Sequence, residues 1–233
     1  MSRIFVVPDV HLKPWIFEKA SEMISRGKYD AVVMLGDLVD DWDQGKNIDL
    51  YNETFDAAIT FVTKYRDTIW CYGNHDVSYL WEAMETGYSY YAYNTVVDRI
   101  QDLKNALPPE NCAFIYRVDN VLFSHAGLTE SFVYRHFGEE NNDIDSIIWK
   151  INQMGEYELW QDDSPIWARP QYGEMELYPA GVLQVVGHTP VYKPLYEGDL
   201  VTVDTFSTFS NGNPIGNEQF VWIDTEKPGA HVL

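Results

Sequence analysis

The stretch Val32–Trp42, VVMLGDLVDDW, runs an apolar segment straight into three carboxylates, Asp37, Asp40 and Asp41. Val32 to Leu35 is a short β-branched run of the kind buried on both faces of a sheet. Carboxylates at its end repel one another and lose solvation on burial, so something has to compensate them. Gly36 lets the backbone turn tightly at the strand end, and in α/β proteins that edge is where ligands bind. A solvated turn, a helix cap and a bound cation each fit this stretch taken alone.

The surrounding sequence supplies the fold class. Similar strand-like runs recur at 3–7, 31–35, 68–72, 113–118, 121–124, 182–186, 200–204 and 220–224. Helical periodicity fills the gaps at roughly 15–26, 50–65, 95–106 and 142–152. Alternating strands and helices in the first half predict an α/β fold with parallel strands and crossovers. From 113 onward the strands follow at hairpin-like spacing, which predicts a mixed or second sheet. At 233 residues the chain reads as one domain, 1–233, with a lid-like insertion at about 130–180 that is rich in aromatics and acids.

Sixteen Lys and Arg stand against 36 Asp and Glu, a formal charge of −20. So acidic a surface repels phosphate backbones, which argues against binding long nucleic acid through a basic groove. Cys71 and Cys112 form no metal-spaced pair and read as free thiols in a reducing compartment. The apolar run at the N-terminus is too short for a signal peptide, and no stretch reaches transmembrane length. A cytoplasmic protein with no membrane partner is the expectation.

Of six histidines, His11, His75, His125 and His188 lie in loops directly after apolar strands, whereas His136 and His231 do not. One such histidine alone is most often structural. Together, Asp9, His11, Asp37, Asn74, His125 and His188 deliver oxygen and imidazole donors to one sheet edge. That mixture suits borderline divalent metals such as manganese, iron, zinc, cobalt or nickel. Asp9 and His11, two apart at a strand end, can face the same side.

The ordered blocks DVH (9–11), GDLVD (36–40), GNHD (73–76), HAG (125–127) and GHTP (187–190) resemble the signature of the calcineurin-like metallophosphoesterases. Within that superfamily they are most similar to the branch of the phosphoprotein phosphatases and symmetrical diadenosine-tetraphosphate hydrolases. Asp40 matches the second acid of that branch's motif, and Pro190 stands where the wider superfamily often has a second histidine. The resemblance implies a four-layer sandwich of two mixed β-sheets flanked by helices. It also implies two divalent metal ions, manganese foremost. Asp37 would bridge them, Asp9 and His11 would complete the first with waters, and Asn74, His125 and His188 the second.

Two metals about 3.5–4 Å apart activate a shared water and clamp a phosphate for in-line attack. By the same resemblance His75 is the general acid, Asp40 orients its imidazole, and Asn74 also touches substrate. Arg169, in SPIWARP (164–170), corresponds to a phosphate-binding arginine. Its alternative is a structural arginine paired with a surface acid. One departure stands out. Asp40-Asp41-Trp42 replaces the branch's Asp-Arg-Gly, so a second phosphate-gripping arginine is missing. The implied function is a phosphatase acting on protein phosphoserine or phosphothreonine, or on a small phosphoester. Alternatives are a dinucleoside polyphosphate or cyclic/phosphodiester hydrolase and a non-catalytic metal-binding protein; a nuclease is disfavoured by Pro190 and the acidic balance. The aromatics at 88–93 and Trp42, Trp149, Trp160 and Trp167 read as core packing, with stacking on an aromatic substrate the alternative.

Overall fold

The structure is a computed structural model and describes residues 2–140 and 143–233. Strands β1 (Arg3–Val7), β2 (Ala31–Met34), β3 (Thr68–Cys71) and β4 (Cys112–Ala113) pair in parallel in that order. Strand β10 (Val221–Asp224) adds antiparallel to β1, and β11 (Gly229–Val232) antiparallel to β10. The second sheet comprises β5 (Ile115–Val118), β6 (Val121–Ser124), β7 (Leu183–Val186), β8 (Leu195–Glu197) and β9 (Leu200–Thr202), in the order β5-β6-β7-β9-β8. Within it β6, β7 and β9 are parallel and the two edges antiparallel. Both sheets are therefore mixed, as expected.

Alternation along the strands explains why the runs are apolar throughout. Ile4, Val6, Val33, Leu35 and Ile69 turn inward and meet Val121, Phe123, Val185 and Val201 of the other sheet. Their neighbours Phe5, Val7, Val32, Met34 and Trp70 belong to the core shared with the helices. Helices α1 (Trp15–Ser25), α2 (Ile48–Lys64) and α4 (Tyr93–Ala106) lie in the connections between the parallel strands. They bury Ile16 and Phe17, Phe55 and Phe61, and Val96 and Ile100. Against the second sheet, α5 (Glu130–Phe137) and α6 (Ile144–Ile151) bury Phe132, Ile147 and Ile151 in the same core as Ile115 and Leu122. The order of layers is helices, sheet, sheet, helices.

Three readings change. Residues 113–118 form two short strands in different sheets, broken at Phe114. The Asn152 side chain accepts the amides of Phe114 (2.8 Å) and Ile115 (3.0 Å), and the Phe114 ring packs on Tyr72 and Trp81. A side-chain acceptor there replaces the ladder and turns the chain from one sheet to the other. Helix α3 (Asn74–Trp81) begins inside GNHD, so His75 stands in the first turn of a helix rather than in a loop. Helix α5 is capped by Thr129, whose hydroxyl accepts the Phe132 amide. The short exposed edge strands β8 and β11 carry too little apolar periodicity to announce themselves. The insertion at 130–180 holds α5, α6 and a one-turn helix α7 (Glu156–Leu159).

Candidate metal centre

Each of the six parallel strands outside β4 ends in a polar residue at one edge: Asp9 follows β1, Asp37 follows β2, Asn74 follows β3, His125 follows β6, His188 follows β7 and Asp204 follows β9. The two sheets are locked together at that edge. The His125 Nδ1 hydrogen bonds to the Leu35 carbonyl (2.7 Å), and the His188 amide donates to Asp9 Oδ2 (2.9 Å), both across the sheets. Asp9 and His11 do converge on the site, but not by strand alternation. β1 stops at Val7, and His11 sits in a left-handed turn (φ 43). Asp37, Asp40 and His188 also have positive φ (47, 64 and 61). Such backbone is unfavourable for non-glycine residues, mildly so for Asp, and clusters at functional sites.

Around Asp37 the donor atoms form two overlapping triplets. One is His11, Asp37 and His75; the other is Asp37, His125 and His188. The His125 Nε2 lies 3.2 Å from Asp37 Oδ2, 2.9 Å from Asn74 Oδ1 and 3.0 Å from His188 Nδ1. The His11 Nε2 lies 3.7 Å from Asp37 Oδ2, while its Nδ1 hydrogen bonds to the Asp40 carbonyl (2.8 Å). Anchoring one ring nitrogen on a carbonyl aims the other at the centre, the usual arrangement for a ligating imidazole. Asp9 belongs to neither triplet. Its Oδ2 accepts the His188 amide (2.9 Å), and its Oδ1 is buried with no hydrogen-bond partner, as is the His188 Nε2.

Electrostatics in this pocket follow from burial and crowding. Burial alone would raise the Asp37 carboxyl, but His125 and His75 hold it well below the usual carboxylate range. Burial lowers His125, yet Asp37 and Asp9 outweigh it and lift it to about 9. His188 is pushed down by burial and by His125 and Arg169, and His11 is lowered chiefly by burial. Asp9 is raised by burial and by Asp204. A buried group of like-charged acids with orphaned acceptors is stable once cations neutralise it.

Two glycines make room for these acids. A Cβ on Gly187 would sit 1.9 Å from Asp9 Oδ1, and one on Gly73 would sit 2.0 Å from Asp37 Oδ1. Asp76, fully buried, accepts the backbone amides of Asp37, Leu38 and Gly73, each at 2.9 Å. It ties the GDLVD and GNHD loops into one unit.

His75 lies at the rim. Its Nδ1 is 3.1 Å from Asp40 Oδ2 and 3.5 Å from Glu85 Oε1. Burial would lower its pKa, but Asp37, Asp40 and Glu85 raise it to about 10. Asp40 is itself fixed, because its Oδ1 accepts the hydroxyls of Tyr51 (2.9 Å) and Tyr79 (2.6 Å).

A cavity of about 610 Å³ opens over these residues, and Arg169, Trp167, Trp42 and Lys13 line it. The Arg169 Nη1 donates to the Thr189 hydroxyl (2.7 Å) and the His188 carbonyl (3.3 Å), with no carboxylate among its described partners. Asp41 is ion-paired with the buried Lys13 at 3.1 Å. Trp167 meets the His188 ring edge-on at 5.6 Å, and half-exposed Trp42 donates Nε1 to the Thr208 carbonyl. Of the tyrosines at 88–93, Tyr88 stacks on Tyr79, while Tyr90 and Tyr91 are exposed. Trp149 is also exposed rather than packed in the core.

Sequence reasoning missed Lys13, Glu85 and Asp204. Asp204 ends the run LVTVD and was findable by the same strand-end rule as the others. Lys13 and Glu85 sit in irregular segments of a chain full of acids and carried no signal.

The side chains therefore offer two groups that could hold a metal ion, both including Asp37. Solved structures offer remote likenesses. A protein serine/threonine phosphatase from Saccharomyces cerevisiae aligns at 15% identity and a TM-score of 0.49, over 87% of this chain and 66% of that one. A metallophosphoesterase from Sphaerobacter thermophilus aligns at 15% identity and a TM-score of 0.44, over 100% and 88%. A protein from Pyrococcus horikoshii aligns at 13% identity and a TM-score of 0.49, over 100% and 87%. No curated protein matches the chain in sequence. No helix among the described residues is long and apolar enough to cross a membrane. The sequence model of the calcineurin-like phosphoesterases matches residues 2–215, and the chain belongs to that family.

Proposed function

We propose that this chain is a metal-dependent phosphatase of phosphoserine, phosphothreonine or small phosphoesters, with two divalent cations, manganese foremost. The observation that carries the reading is the buried donor triplet Asp37, His125 and His188, with His11 on the other side of Asp37. Asp37 would bridge the ions, Asp9 and His11 would hold one, and Asn74, His125 and His188 the other. Two cations so held neutralise a phosphoryl group and activate a water at neutral pH.

The remaining work falls to side chains. Arg169 has one guanidinium nitrogen engaged by Thr189 and His188, which leaves its other donors for phosphate oxygens. Asn74 gives one amide N–H to Glu85 and keeps the second for substrate. His75 binds Asp40 through Nδ1, so the proton on Nε2 is the one available to a departing oxygen. Asp40, held by two tyrosines, keeps that ring in register. Residues 1–233 are read as one domain, and the segment 130–180 as a lid, since Trp167 and Arg169 line the cavity from it. Two free cysteines support a cytoplasmic setting.

Metal-stripped protein should regain hydrolysis of p-nitrophenyl phosphate, its bis-ester or phosphoserine when manganese, nickel, zinc or magnesium is returned. Stoichiometric metal uptake without turnover of any of them, or of a dinucleoside polyphosphate, would refute the enzymatic reading.

A further inference from the structure

Asparagine is an ambiguous metal ligand. Its amide presents an acceptor at one end and two donors at the other, and a half-turn about the last bond exchanges them. Only the oxygen can face a cation. In this structure the Asn74 Nδ2 donates to Glu85 Oε2 at 2.6 Å, and the Asn74 Oδ1 points the opposite way, 2.9 Å from the His125 Nε2. Ionised, Glu85 can only accept, so a flipped Asn74 would set oxygen against oxygen; burial raises its carboxyl to about 7, while the neighbouring His75 and the Asn74 amide favour the ionised form.

The carboxylate of Glu85 is itself unlikely company for a phosphate. Its side chain is 8% exposed and lines the cavity, and its buried Oε1 makes no hydrogen bond, though it lies 3.5 Å from the His75 Nδ1. A desolvated anion beside an anion-binding site is unfavourable on both counts. Its loop is nevertheless pinned where it is. Ser89 donates its amide to the Tyr79 hydroxyl (2.8 Å) and its own hydroxyl to the Gly45 carbonyl, and Gly87 packs on Asp40 and His75.

We infer that Glu85 is a positioning residue that fixes the amide of Asn74 with its oxygen toward the cation shared by Asp37, His125 and His188. The inference rests on the two-metal reading above. It adds a residue outside the five signature blocks to the centre.

Calorimetric titration of manganese into the metal-stripped full chain tests it. Wild type should take up two ions. Glu85→Leu should weaken one of the two binding steps by about 10- to 100-fold, the range for losing a partner that orients a ligand. Glu85→Gln should weaken the same step by an intermediate amount, because its amide can accept from Asn74 or, turned over, donate to a flipped one. The double variant Asn74→Asp/Glu85→Leu should recover the weakened step, since a carboxylate has no wrong end. Equal binding by Glu85→Leu and wild type would overturn the inference, as would Glu85→Gln binding more weakly than Glu85→Leu. Failure of the double variant to recover would also overturn it, and this arm stands even where Glu85→Leu alone folds poorly. Wild type taking up no metal would overturn the two-metal reading itself, and this inference with it.

Discussion

Replacing His75 by alanine should slow hydrolysis of alkyl phosphates such as phosphoserine far more than that of p-nitrophenyl phosphate. A nitrophenolate leaves without help, whereas an alkoxide needs a proton as the bond breaks. General acids contribute about 10²- to 10⁴-fold, or about 3 to 5 kcal/mol of barrier. The structure argues for the lower half of that range. Burial lowers His75, but Asp37, Asp40 and Glu85 together raise it to about 10, and an acid that holds its proton so firmly gives it up less readily. We therefore expect about 10²- to 10³-fold on phosphoserine and little change on the nitrophenyl ester. The sign of the pH dependence follows from the raised pKa. Asp40 and Glu85 favour the charged ring even where cations offset Asp37, so phosphoserine turnover should fall as pH rises toward about 10.

Asp40→Asn removes an anion 3.1 Å from the ring, worth about 5 kcal/mol at an effective dielectric constant of about 20. Part of that is offset by the tyrosine hydroxyls already bound to Asp40. The variant should bring the alkaline decline of phosphoserine turnover to lower pH. The assay is steady-state kcat for both substrates at saturating metal across pH. Equal losses on the two esters in His75→Ala would refute the general-acid assignment.

Other substitutions probe the frame around that step. Asp37→Asn should abolish hydrolysis and leave the dialysed protein without its metals; a variant that kept two ions by elemental analysis would contradict the bridging role. Gly187→Ala would push a methyl to 1.9 Å from Asp9 Oδ1, an overpacking expected to cost about 1–3 kcal/mol and visible in both melting temperature and metal content. Arg169→Ala should raise KM for phosphoserine by about 10- to 100-fold, from the loss of a charge-assisted hydrogen bond worth about 1.5–3 kcal/mol, and an unchanged KM would return Arg169 to a structural role. Tyr79→Phe strips a buried donor from Asp40 and an acceptor from the Ser89 amide, and should destabilise the chain by about 1–3 kcal/mol in denaturant unfolding.

The parts of this molecule legible in its sequence are those where period and chemistry agree. Runs such as RIFVV and AVVML are apolar on both faces because each strand lies between a second sheet and a helical layer. Polar residues directly after them mark the edge where unpaired backbone and ligands meet. Asp9, Asp37, Asn74, His125 and His188 followed from that rule. Asp204 obeys it too, at the end of LVTVD, as one of 36 acids in the chain. Other features had no local cause. The break at Phe114 depends on Asn152, 38 residues away, and α3 on Asp76 reaching back to the Gly73 amide and across to Asp37 and Leu38. Tertiary partners of this kind leave no periodicity to read.

The missing arginine at position 41 shows what such partners change. From sequence, Asp41 looks like a bare negative charge facing the substrate. In the fold it is matched by Lys13 at 3.1 Å, a lysine only 8% exposed whose ammonium also donates to the His11 carbonyl. The pair is close to neutral, so the charge reversal is contained rather than felt across the cavity. Yet the same pairing occupies Lys13, and it cannot grip a phosphate without abandoning Asp41. The positive charge left for a dianion is then Arg169, the protonated His75 and whatever cations Asp37 holds. Substrate affinity in this chain should accordingly fall steeply with metal occupancy, because the protein itself offers little to hold the phosphate when an ion is lost.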